Sequence, residues 1–419
     1  MTTALNIGID ISVLRIAQAG VLTYARSVLE QMLTAPTPHH WTLLDVLPLN
    51  PQRSPLQLDL NQFAPHRVRV VRCLALPRHY LSQQPYAQHG WRHRLASRVD
   101  RGLDRAWAGA AAGAVGVQLR AATRGLDLFH SSDQFLYAPP RAAALLTIYD
   151  VTPLVHPEWH AHANTQMHSA KDRFAIERAT HIIAISEATK RDVMAHLGIP
   201  AQRISVVYGA ADARFRPYPS PTLAPVLARY NVSAGGYILS IGTLEPRKNY
   251  VRLMNAYADL YHTLHTHQIT PPPLLIAGAH GWLYEEILAT PAQLGLGNQI
   301  RLLGKVPADD LPLLLAGAGM FIYPSLYEGF GLPVLEALAS GVPVIAADTT
   351  SLPEVLGDAG LYCDPLDPAS MTRSMQMLWS NPDLAQQLRA AGIARARQFS
   401  WQRAARETIA VYERFRRTS

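Results

Sequence analysis

The sequence predicts an α/β protein with two Rossmann-like domains, each a doubly wound parallel sheet, that face a common cleft. Three observations predict this class. Short apolar runs rich in β-branched residues alternate with longer amphipathic runs, which is typical of parallel strands covered by helices. The alternation occurs twice along the chain. The 419 residues are 48% apolar, which is enough for two cores in domains of about 200 residues.

The first half of the chain contains the first set of strands. They are predicted at Leu5–Asp10, Trp41–Leu47, Val68–Leu74, Leu126–His130, Ala144–Tyr149, His181–Ile185 and Ile204–Tyr208. Apolar residues at helical spacing predict helices at Leu22–Leu33 and Glu187–Leu197. Residues 209–236 are rich in Pro, Ala and Gly, so we interpret them as a linker between two domains.

The second half repeats the pattern more clearly. Strands are predicted at Tyr237–Ile241, Leu274–Ala277, Ile300–Leu303, Met320–Tyr323, Val342–Ala346 and Gly360–Cys363. Helices are predicted at Val251–His262, Leu283–Leu288, Asp309–Ala316, Val334–Ala339, Pro368–Trp379 and Trp401–Phe415. The predicted units are residues 1–215, residues 216–400 and a closing helical segment, 401–419.

Composition excludes several classes of function. The net charge of +7 is mild for this length and does not indicate nucleic-acid binding. Cys73 and Cys363 cannot form a disulfide framework or a cysteine metal site. No signal peptide or membrane span is apparent, so we expect a cytoplasmic protein. Dinucleotide-binding, P-loop and D-x-D motifs are absent from the sequence, so we expect no bound cofactor or metal.

The stretch YPSLYEGFGLPVLEALASGVPVIAAD, residues 323–348, carries the strongest functional signal. A strand leads into a glycine-containing loop and then a helix, whose free N–H groups and dipole favour phosphate. Glu328 precedes that helix and Glu336 lies within it. Carboxylates at these two places can accept hydrogen bonds from paired sugar or ribose hydroxyls. Either glutamate alone would fit an ordinary surface position, but an unpaired glutamate in the apolar run PVLEALA is costly to bury.

A second stretch, ILSIGTLEPRKN at residues 238–249, places Arg247 and Lys248 after a strand. Adjacent cations there can neutralise the phosphates of a leaving nucleotide. A charged, solvated turn is the alternative. Weaker signals in the first half are Gly20, next to the first predicted helix, and Tyr149 and Asp150, at the end of a strand. Those residues fit structural roles equally well.

The segments EGFGLPVLE and ASGVPVIA resemble the donor-binding signature of glycosyltransferase family 4, the retaining GT-B glycosyltransferases. The loop TLEPRKN resembles that family's phosphate-binding loop. The resemblance extends over nearly the whole chain, through Gly20, HSSDQF, TIYDVTPL and ISEATKRDV to the closing FSW and its helix. It is strongest in the second half.

The resemblance implies that residues 216–400 bind a nucleotide-sugar donor and residues 1–215 the acceptor, with residues 401–419 packing back on the first domain. It implies further that Glu328 binds donor-sugar hydroxyls, Glu336 the ribose, and Arg247 and Lys248 the diphosphate. The backbone amides of four residues would bind phosphate or sugar: Gly329, Phe330, Gly331 and Leu332.

Two further positions follow from the same resemblance. The loop containing Val306 would lie near the base. Many family members have His-Asp where this chain has Tyr149 and Asp150. We therefore keep Asp150 as a candidate catalytic residue and Tyr149 as a candidate substrate contact, without an imidazole role at that position. A tyrosine keeps a hydrogen bond but not the charge behaviour of histidine.

These signals favour a metal-independent, retaining glycosyltransferase that moves mannose or glucose from GDP-mannose or a UDP-hexose to a glycan or lipid-linked glycan. The context implied by the resemblance is bacterial polysaccharide or glycolipid assembly. The alternatives are a GT-B epimerase, a phosphorylase, or a non-catalytic protein that binds nucleotide sugars. A phosphorylase would need a cofactor-binding lysine, which the sequence does not identify.

Residues 91–107, WRHRLASRVDRGLDRAW, suggest peripheral contact with the inner membrane face. On a helix, Trp91, Leu95, Val99, Leu103 and Trp107 fall on one side. Four arginines fall on the other side, which would suit anionic headgroups: Arg94, Arg98, Arg101 and Arg105. The alternative is that the apolar side packs on the protein's own sheet.

Overall fold

A computed structural model of the chain describes residues 4–16, 19–47, 55–63, 67–74, 117–131, 136–160 and 171–416. The segment 91–107 lies outside these ranges, so its contact with membranes stays a prediction. None of the helices formed by the described residues is both long and apolar enough to cross a bilayer.

All the predicted strands are present among the described residues, with bounds shifted by two residues at most. They are β1 (Asn6–Asp10), β2 (His40–Leu47), β3 (Val68–Leu74), β4 (Leu128–Ser131), β5 (Ala143–Ile148), β6 (His181–Ala184), β7 (Ile204–Val206), β8 (Ile238–Ile241), β9 (Leu274–Ala277), β10 (Ile300–Gly304), β11 (Met320–Tyr323), β12 (Val344–Ala347) and β13 (Leu361–Cys363).

Helices alternate with these strands, and the sequence pattern predicted some but not all of them. They are α1 (Val13–Ile16), α2 (Ala19–Thr34), α3 (Thr152–Val155), α4 (Glu187–Leu197), α5 (Ser220–Arg229), α6 (Tyr250–Thr266), α7 (Glu285–Gln293), α8 (Leu311–Ala316), α9 (Leu332–Ala339), α10 (Leu352–Leu356), α11 (Pro368–Trp379), α12 (Pro382–Ala396) and α13 (Trp401–Glu413).

Residues 209–236, which we interpreted as a linker between two domains, contain helix α5, which the sequence pattern did not predict. Its prolines suggested irregular structure. However, Pro221 lies in the first turn, where a missing N–H costs nothing. The helix is stabilised by burial of Leu223, Val226 and Leu227. Helix α12 was missed because its apolar residues form no single stripe; Leu388 and Gly392 are its fully buried positions.

Two sheets organise the strands. The first has the order β3-β2-β1-β4-β5-β6-β7 and the second β10-β9-β8-β11-β12-β13. The pairings recorded in both sheets are parallel. In each sheet the order runs outward from a central pair, as in a doubly wound fold. In the second sheet the direction of winding reverses between β8 and β11, and ligands of such sheets bind at that point.

Contacts divide the chain into two compact units. The first contains residues 1–147, 173–183 and 405–419, and the second contains residues 148–172 and 184–404. In the first unit, Tyr412 of α13 packs on Trp41 and donates or accepts a 2.6 Å hydrogen bond with Nδ1 of His130. In the second unit, Leu253, Met254 and Tyr257 of α6 are fully buried in the main core. The predicted domain boundaries at residues 215 and 400 stay predictions.

Candidate functional site

The winding reversal in the second sheet brings two charged loops together. Strands β8 and β11 are parallel neighbours, with Met320 opposite Ile238, so the loops after them leave the same sheet edge. The loop after β11 is tied to the loop after β8, because the N–H of Leu326 donates to the carbonyl of Arg247 at 2.9 Å. The Asn249 amide donates to the carbonyl of Pro324 at 3.0 Å. These bonds fix the backbone on which the charged side chains are carried.

Glu328 lies at the centre of a cluster of charged side chains that these two loops carry, together with Arg247 and Lys248. Its Oε1 atom accepts hydrogen bonds from Lys248 Nζ at 2.5 Å, Ser325 Oγ at 2.6 Å and Tyr323 Oη at 2.9 Å. Arg247 Nη1 lies 3.0 Å from the same oxygen. The Glu328 side chain is only 10% exposed. This carboxylate therefore holds both cations in fixed positions at the sheet edge.

Arg247 is held from three sides. Its Nη1 donates to the carbonyl of Tyr327 at 2.7 Å, and its Nη2 donates to Glu245 Oε1 at 2.6 Å. Glu245 itself is buried. Because a guanidinium carries five N–H donors, donors of Arg247 remain for a ligand after these contacts. Lys248 has three donors and uses two of them, on Glu328 and Tyr323.

The charges of neighbouring side chains keep Glu328 ionised. Burial alone would raise the pKa of Glu328, but the charges of Arg247 and Lys248 outweigh burial and lower it to about 2. Burial opposes the charged form of Arg247 too, and the charges of Glu328 and Glu245 reverse that effect and raise its pKa. Burial and the charge of Arg247 lower the pKa of Lys248. Glu328 is therefore a carboxylate at neutral pH and a weak base.

The loop before α9 offers open backbone donors. Among the described residues, none accepts a hydrogen bond from the N–H groups of residues 329–332. Gly331 has φ +104°, a conformation that favours glycine. Gly331 lies at the start of α9, so the free N–H groups lie at the N-terminus of that helix, which is the positive end of its dipole. The N–H of Phe330 is open in this way, whereas its side chain is buried against Tyr208 and Phe399.

Tyr149 and Asp150 lie against this loop. A Cβ atom on Gly329 would stand 2.0 Å from the Tyr149 carbonyl oxygen, so a glycine is required there. The Thr189 hydroxyl donates to the carbonyl of Gly329 at 3.1 Å. Asp150 accepts the N–H of Thr152 at 3.1 Å, and its charge acts on Arg247. The structure therefore brings the residues after β5 to the Arg247–Glu328 cluster.

Glu336 lies apart from that cluster, in the middle of α9. Its side chain is half-buried, and it forms no hydrogen bond or ion pair with the described residues. Burial, together with the charge of Asp212, raises its pKa to about 8, against an opposing effect of Arg214. An unpaired, partly buried carboxyl is costly in a helix that is otherwise apolar. Such a group is a ready partner for ligand hydroxyls.

Two further candidate residues, Gly20 and Val306, lie on other elements of the fold, and their contacts with a ligand stay predictions. Gly20 was expected before the first helix, but it lies in the first turn of α2, where it is exposed. The sequence pattern placed the start of this helix too late, because Ala19 and Gly20 add nothing to the apolar pattern. Val306 is half-buried in the loop after β10, the strand at one end of the second sheet.

Sequence reasoning missed several groups that complete the cluster. Tyr323 and Ser325 hydrogen-bond Glu328, and Glu245 pairs with Arg247. The Thr350 hydroxyl accepts the Glu328 N–H at 3.0 Å. Tyr323 and Ser325 lie on either side of Pro324 at the end of β11. This position at the end of an apolar strand was the only signal that the sequence offered for them. Among the described residues, no group of three or more His, Cys, Asp or Glu side chains is placed to hold a metal ion.

Comparison with sequence families finds two matches. The model described as "Glycosyl transferases group 1" matches residues 232–395, and that described as "Glycosyltransferase Family 4" matches residues 62–215. O-antigen chain mannosyltransferase B of Escherichia coli is 36% identical over 279 residues, covering 66% of this chain and 72% of that protein. Serotype-specific mannosyltransferase WbdA of Escherichia coli is 30% identical over 65% of this chain, which spans 33% of WbdA.

Solved structures share the fold at lower identity. Anabaena Alr3699/HepE, in complex with UDP and glucose, superimposes with a TM-score of 0.68 at 16% identity, over 98% of this chain and 100% of that chain. WaaG, described as a glycosyltransferase involved in lipopolysaccharide biosynthesis, gives a TM-score of 0.66 at 13% identity, over 97% and 99% of the two chains. These likenesses confirm the GT-B fold that the sequence predicts.

Proposed function

This chain belongs to the group 1, family 4 glycosyltransferases, and we propose that within that family it is a retaining mannosyltransferase of polysaccharide assembly. It would move mannose from a nucleotide diphosphate sugar, GDP-mannose first among the candidates, to a glycan or lipid-linked glycan. The similarity to O-antigen chain mannosyltransferase B supports this choice of sugar and acceptor. The Arg247–Lys248–Glu328 cluster carries the proposal of a transfer reaction.

The leaving group of such a transfer is a nucleoside diphosphate, on which negative charge grows as the glycosidic bond breaks. Arg247 and Lys248 are fixed by Glu328 before any ligand arrives, so little reorganisation is needed when that charge develops. Their remaining N–H donors and the open amides of residues 329–332 supply hydrogen bonds to phosphate oxygens. The cations take the place that a metal has in other diphosphate sites.

The state of Glu328 favours front-face attack over a glycosyl-enzyme intermediate. A carboxylate whose oxygen already accepts several hydrogen bonds, with its pKa lowered to about 2, is a poor nucleophile and a poor base. We infer that the acceptor oxygen bonds to the anomeric carbon on the face from which the diphosphate departs. The leaving phosphate oxygen then takes the acceptor's proton, and the anomeric configuration is retained.

The proposal predicts transfer from one nucleotide hexose in a direct screen. GDP-mannose, UDP-glucose and UDP-N-acetylglucosamine would be incubated with the purified chain and a mixture of mannosyl oligosaccharides, with products resolved by mass spectrometry and NMR. We expect mannosylation with an α linkage from an α donor, unchanged in EDTA. A β-linked product would contradict retention, and loss of activity in EDTA that Mg²⁺ restores would contradict metal independence.

Glu336→Gln tests the proposed ribose contact. We expect weaker binding of GDP and UDP, by about tenfold, because the amide offers the ribose hydroxyls one acceptor oxygen where the carboxyl group offers two. The stability of the ligand-free variant should rise relative to that of wild type as the pH rises. The folded-state pKa of about 8 lies above the ordinary value of 4.5, so the contribution of Glu336 to stability is complete below pH 4.5 and is lost as the pH rises through 8. The variant lacks this loss.

Calorimetric titration with GDP and UDP, and thermal unfolding from pH 5 to pH 9, measure the two effects. Glu285→Gln is the matched control, since Glu285 is exposed in the first turn of α7. Equal nucleotide affinity in Glu336→Gln and wild type would remove the ribose role. A stability difference that does not change with pH would show that Glu336 is ionised in the free protein.

A further inference from the structure

Three successive carbonyl groups of the loop before α9 are held by buried hydroxyl groups. The Ser351 hydroxyl donates to the carbonyl of Glu328 at 2.8 Å and to that of Phe330 at 2.9 Å, so its hydrogen is shared between them. The Thr189 hydroxyl donates to the carbonyl of Gly329 at 3.1 Å. Ser351 is fully buried and Thr189 is 1% exposed. Two side chains, one on α4 and one directly before α10, therefore fix all three carbonyl oxygens.

The directions of these carbonyls set the directions of the N–H groups in the same loop. The described chain has no cis peptide bond, and in a planar trans peptide the C=O of one residue and the N–H of the next point in opposite directions. The N–H groups of Gly329 and Gly331 therefore point away from the Ser351 hydroxyl. The N–H of Phe330 likewise points away from the Thr189 hydroxyl. These three N–H groups have no acceptor among the described residues.

The segment that carries Ser351 is committed to this contact. A serine directly before a helix commonly accepts a backbone N–H of the first turn, but Ser351 makes no such bond within the described first turn of α10. The preceding residue, Thr350, has φ +51°, which is rare for a β-branched residue. Its hydroxyl accepts the Glu328 N–H at 3.0 Å. A strained backbone and a helix start without its usual cap therefore hold the peptide units on both sides of Glu328.

Glycines make the loop dependent on these hydroxyls. Each of the three peptide units borders Gly329 or Gly331, and a peptide unit beside a glycine can rotate at little steric cost. The path of the loop is confined by close packing. A Cβ atom on Gly331 would stand 2.7 Å from Leu352 Cδ2, and one on Gly329 would stand 2.0 Å from the Tyr149 carbonyl oxygen. Packing thus sets where the loop runs, and the hydroxyls set which way its N–H groups point.

We propose that Ser351 and Thr189 are positioning residues for the diphosphate, because their hydroxyls orient the N–H groups of residues 329–331 toward phosphate oxygens. Neither hydroxyl touches the ligand. The inference rests on the proposed function for the presence of a diphosphate there. Arg247 Nη1 lies 3.0 Å from Oε1 of Glu328, the residue before these N–H groups, so a cation adjoins them. Donors oriented before the ligand arrives spend less binding free energy on ordering the loop.

Ser351→Ala leaves two carbonyls without their donor and frees their peptide units. We expect the affinities for GDP, UDP and inorganic pyrophosphate to fall by about 10- to 100-fold, because two N–H donors are no longer oriented. The affinities for guanosine and uridine, which have no phosphate, should stay within about twofold of wild type. Calorimetric titration measures all five ligands. A general loss of folded structure would weaken the nucleosides as much as the diphosphates.

A matched pair of variants at Thr189 separates orientation from packing. Thr189→Val keeps the size of the side chain and removes the hydroxyl, whereas Thr189→Ser keeps the hydroxyl and removes a methyl group. We expect diphosphate affinity to fall by about tenfold in Thr189→Val and to stay within about twofold of wild type in Thr189→Ser. Thr266→Val is the control, since Thr266 is exposed on α6 and its hydroxyl also donates to a carbonyl, that of His262.

Binding measured without transfer separates this inference from the proposed function. A selective loss of diphosphate affinity in Ser351→Ala and Thr189→Val supports the positioning role, even if the wild type transfers no sugar and the proposed reaction fails. Diphosphate affinities within about twofold of wild type in both variants, folded by thermal unfolding, would overturn it. An equal loss in Thr189→Ser and Thr189→Val would overturn it too, because packing would then explain the effect. A wild type that binds no diphosphate would remove both proposals.

Discussion

Replacing Lys248 or Arg247 by alanine is expected to lower kcat/KM for sugar transfer by about 10²- to 10³-fold, the range seen when one preorganised donor to a developing anion is removed. Both side chains are held at Glu328 Oε1, so each loss removes a charge that is already in place when the diphosphate departs. Steady-state kinetics with the sugar nucleotide measure this effect. Nucleotide affinity should fall as well, because the ground-state diphosphate carries charge.

A ligand series makes this test specific. GDP and guanosine differ only in the diphosphate, so Lys248→Ala should weaken GDP binding and leave guanosine binding unchanged. Arg373→Ala is the control, since Arg373 is an exposed arginine on α11 that pairs with Asp367. Thermal unfolding identifies variants that do not fold. A folded Lys248→Ala and a folded Arg247→Ala that both turn over within about twofold of wild type would remove the diphosphate role.

Glu328→Gln is expected to reduce turnover and stability together. It leaves Arg247 and Lys248 buried without their shared carboxylate, and removing one partner of a buried charge cluster costs about 3 kcal/mol or more. Turnover should fall by about 10²-fold or more because the two cations lose their fixed positions. Binding of guanosine, which has no phosphate, should stay close to wild type.

The pH dependence gives this prediction a second readout. The folded-state pKa of Glu328, about 2, lies below the ordinary value of 4.5. Its contribution to stability is therefore complete above pH 4.5 and is lost as the pH falls toward 2. Glu328→Gln should lack that acid-dependent loss, whereas Glu286→Gln, a change at an exposed carboxylate on α7, should keep it. Unfolding curves of equal acid dependence in wild type and Glu328→Gln would contradict the ion-pair role.

Sequence reasoning located most of the candidate site but not its internal contacts. Glu328, Arg247 and Lys248 were recognisable because each follows an apolar strand in a glycine- or proline-containing loop. That Arg247 and Lys248 converge on one oxygen of Glu328 was not recognisable, since the loops are about 80 positions apart in the chain.

The local sequence pattern was sufficient to predict the elements whose structure depends on residues that are neighbours in the sequence. The strands could be read directly, because a buried parallel strand is a short apolar run between turns, and the helices with one apolar stripe were read equally well. Helix α5 was misjudged because burial of Leu223, Val226 and Leu227 against the rest of its unit outweighs the proline content of its sequence.

The sequence by itself determined the fold class and the strands, since these follow from residue types and spacing, and it predicted that the two loops bind phosphate. Only the tertiary structure decided which groups meet. Pairing of β8 with β11 sets Glu328 against Arg247 and Lys248, whose charges lower the pKa of Glu328 to about 2. Burial in α9 raises the pKa of Glu336 to about 8. Charge state depends on burial and on groups distant in sequence, so the same residue type acquires opposite properties at two places eight positions apart.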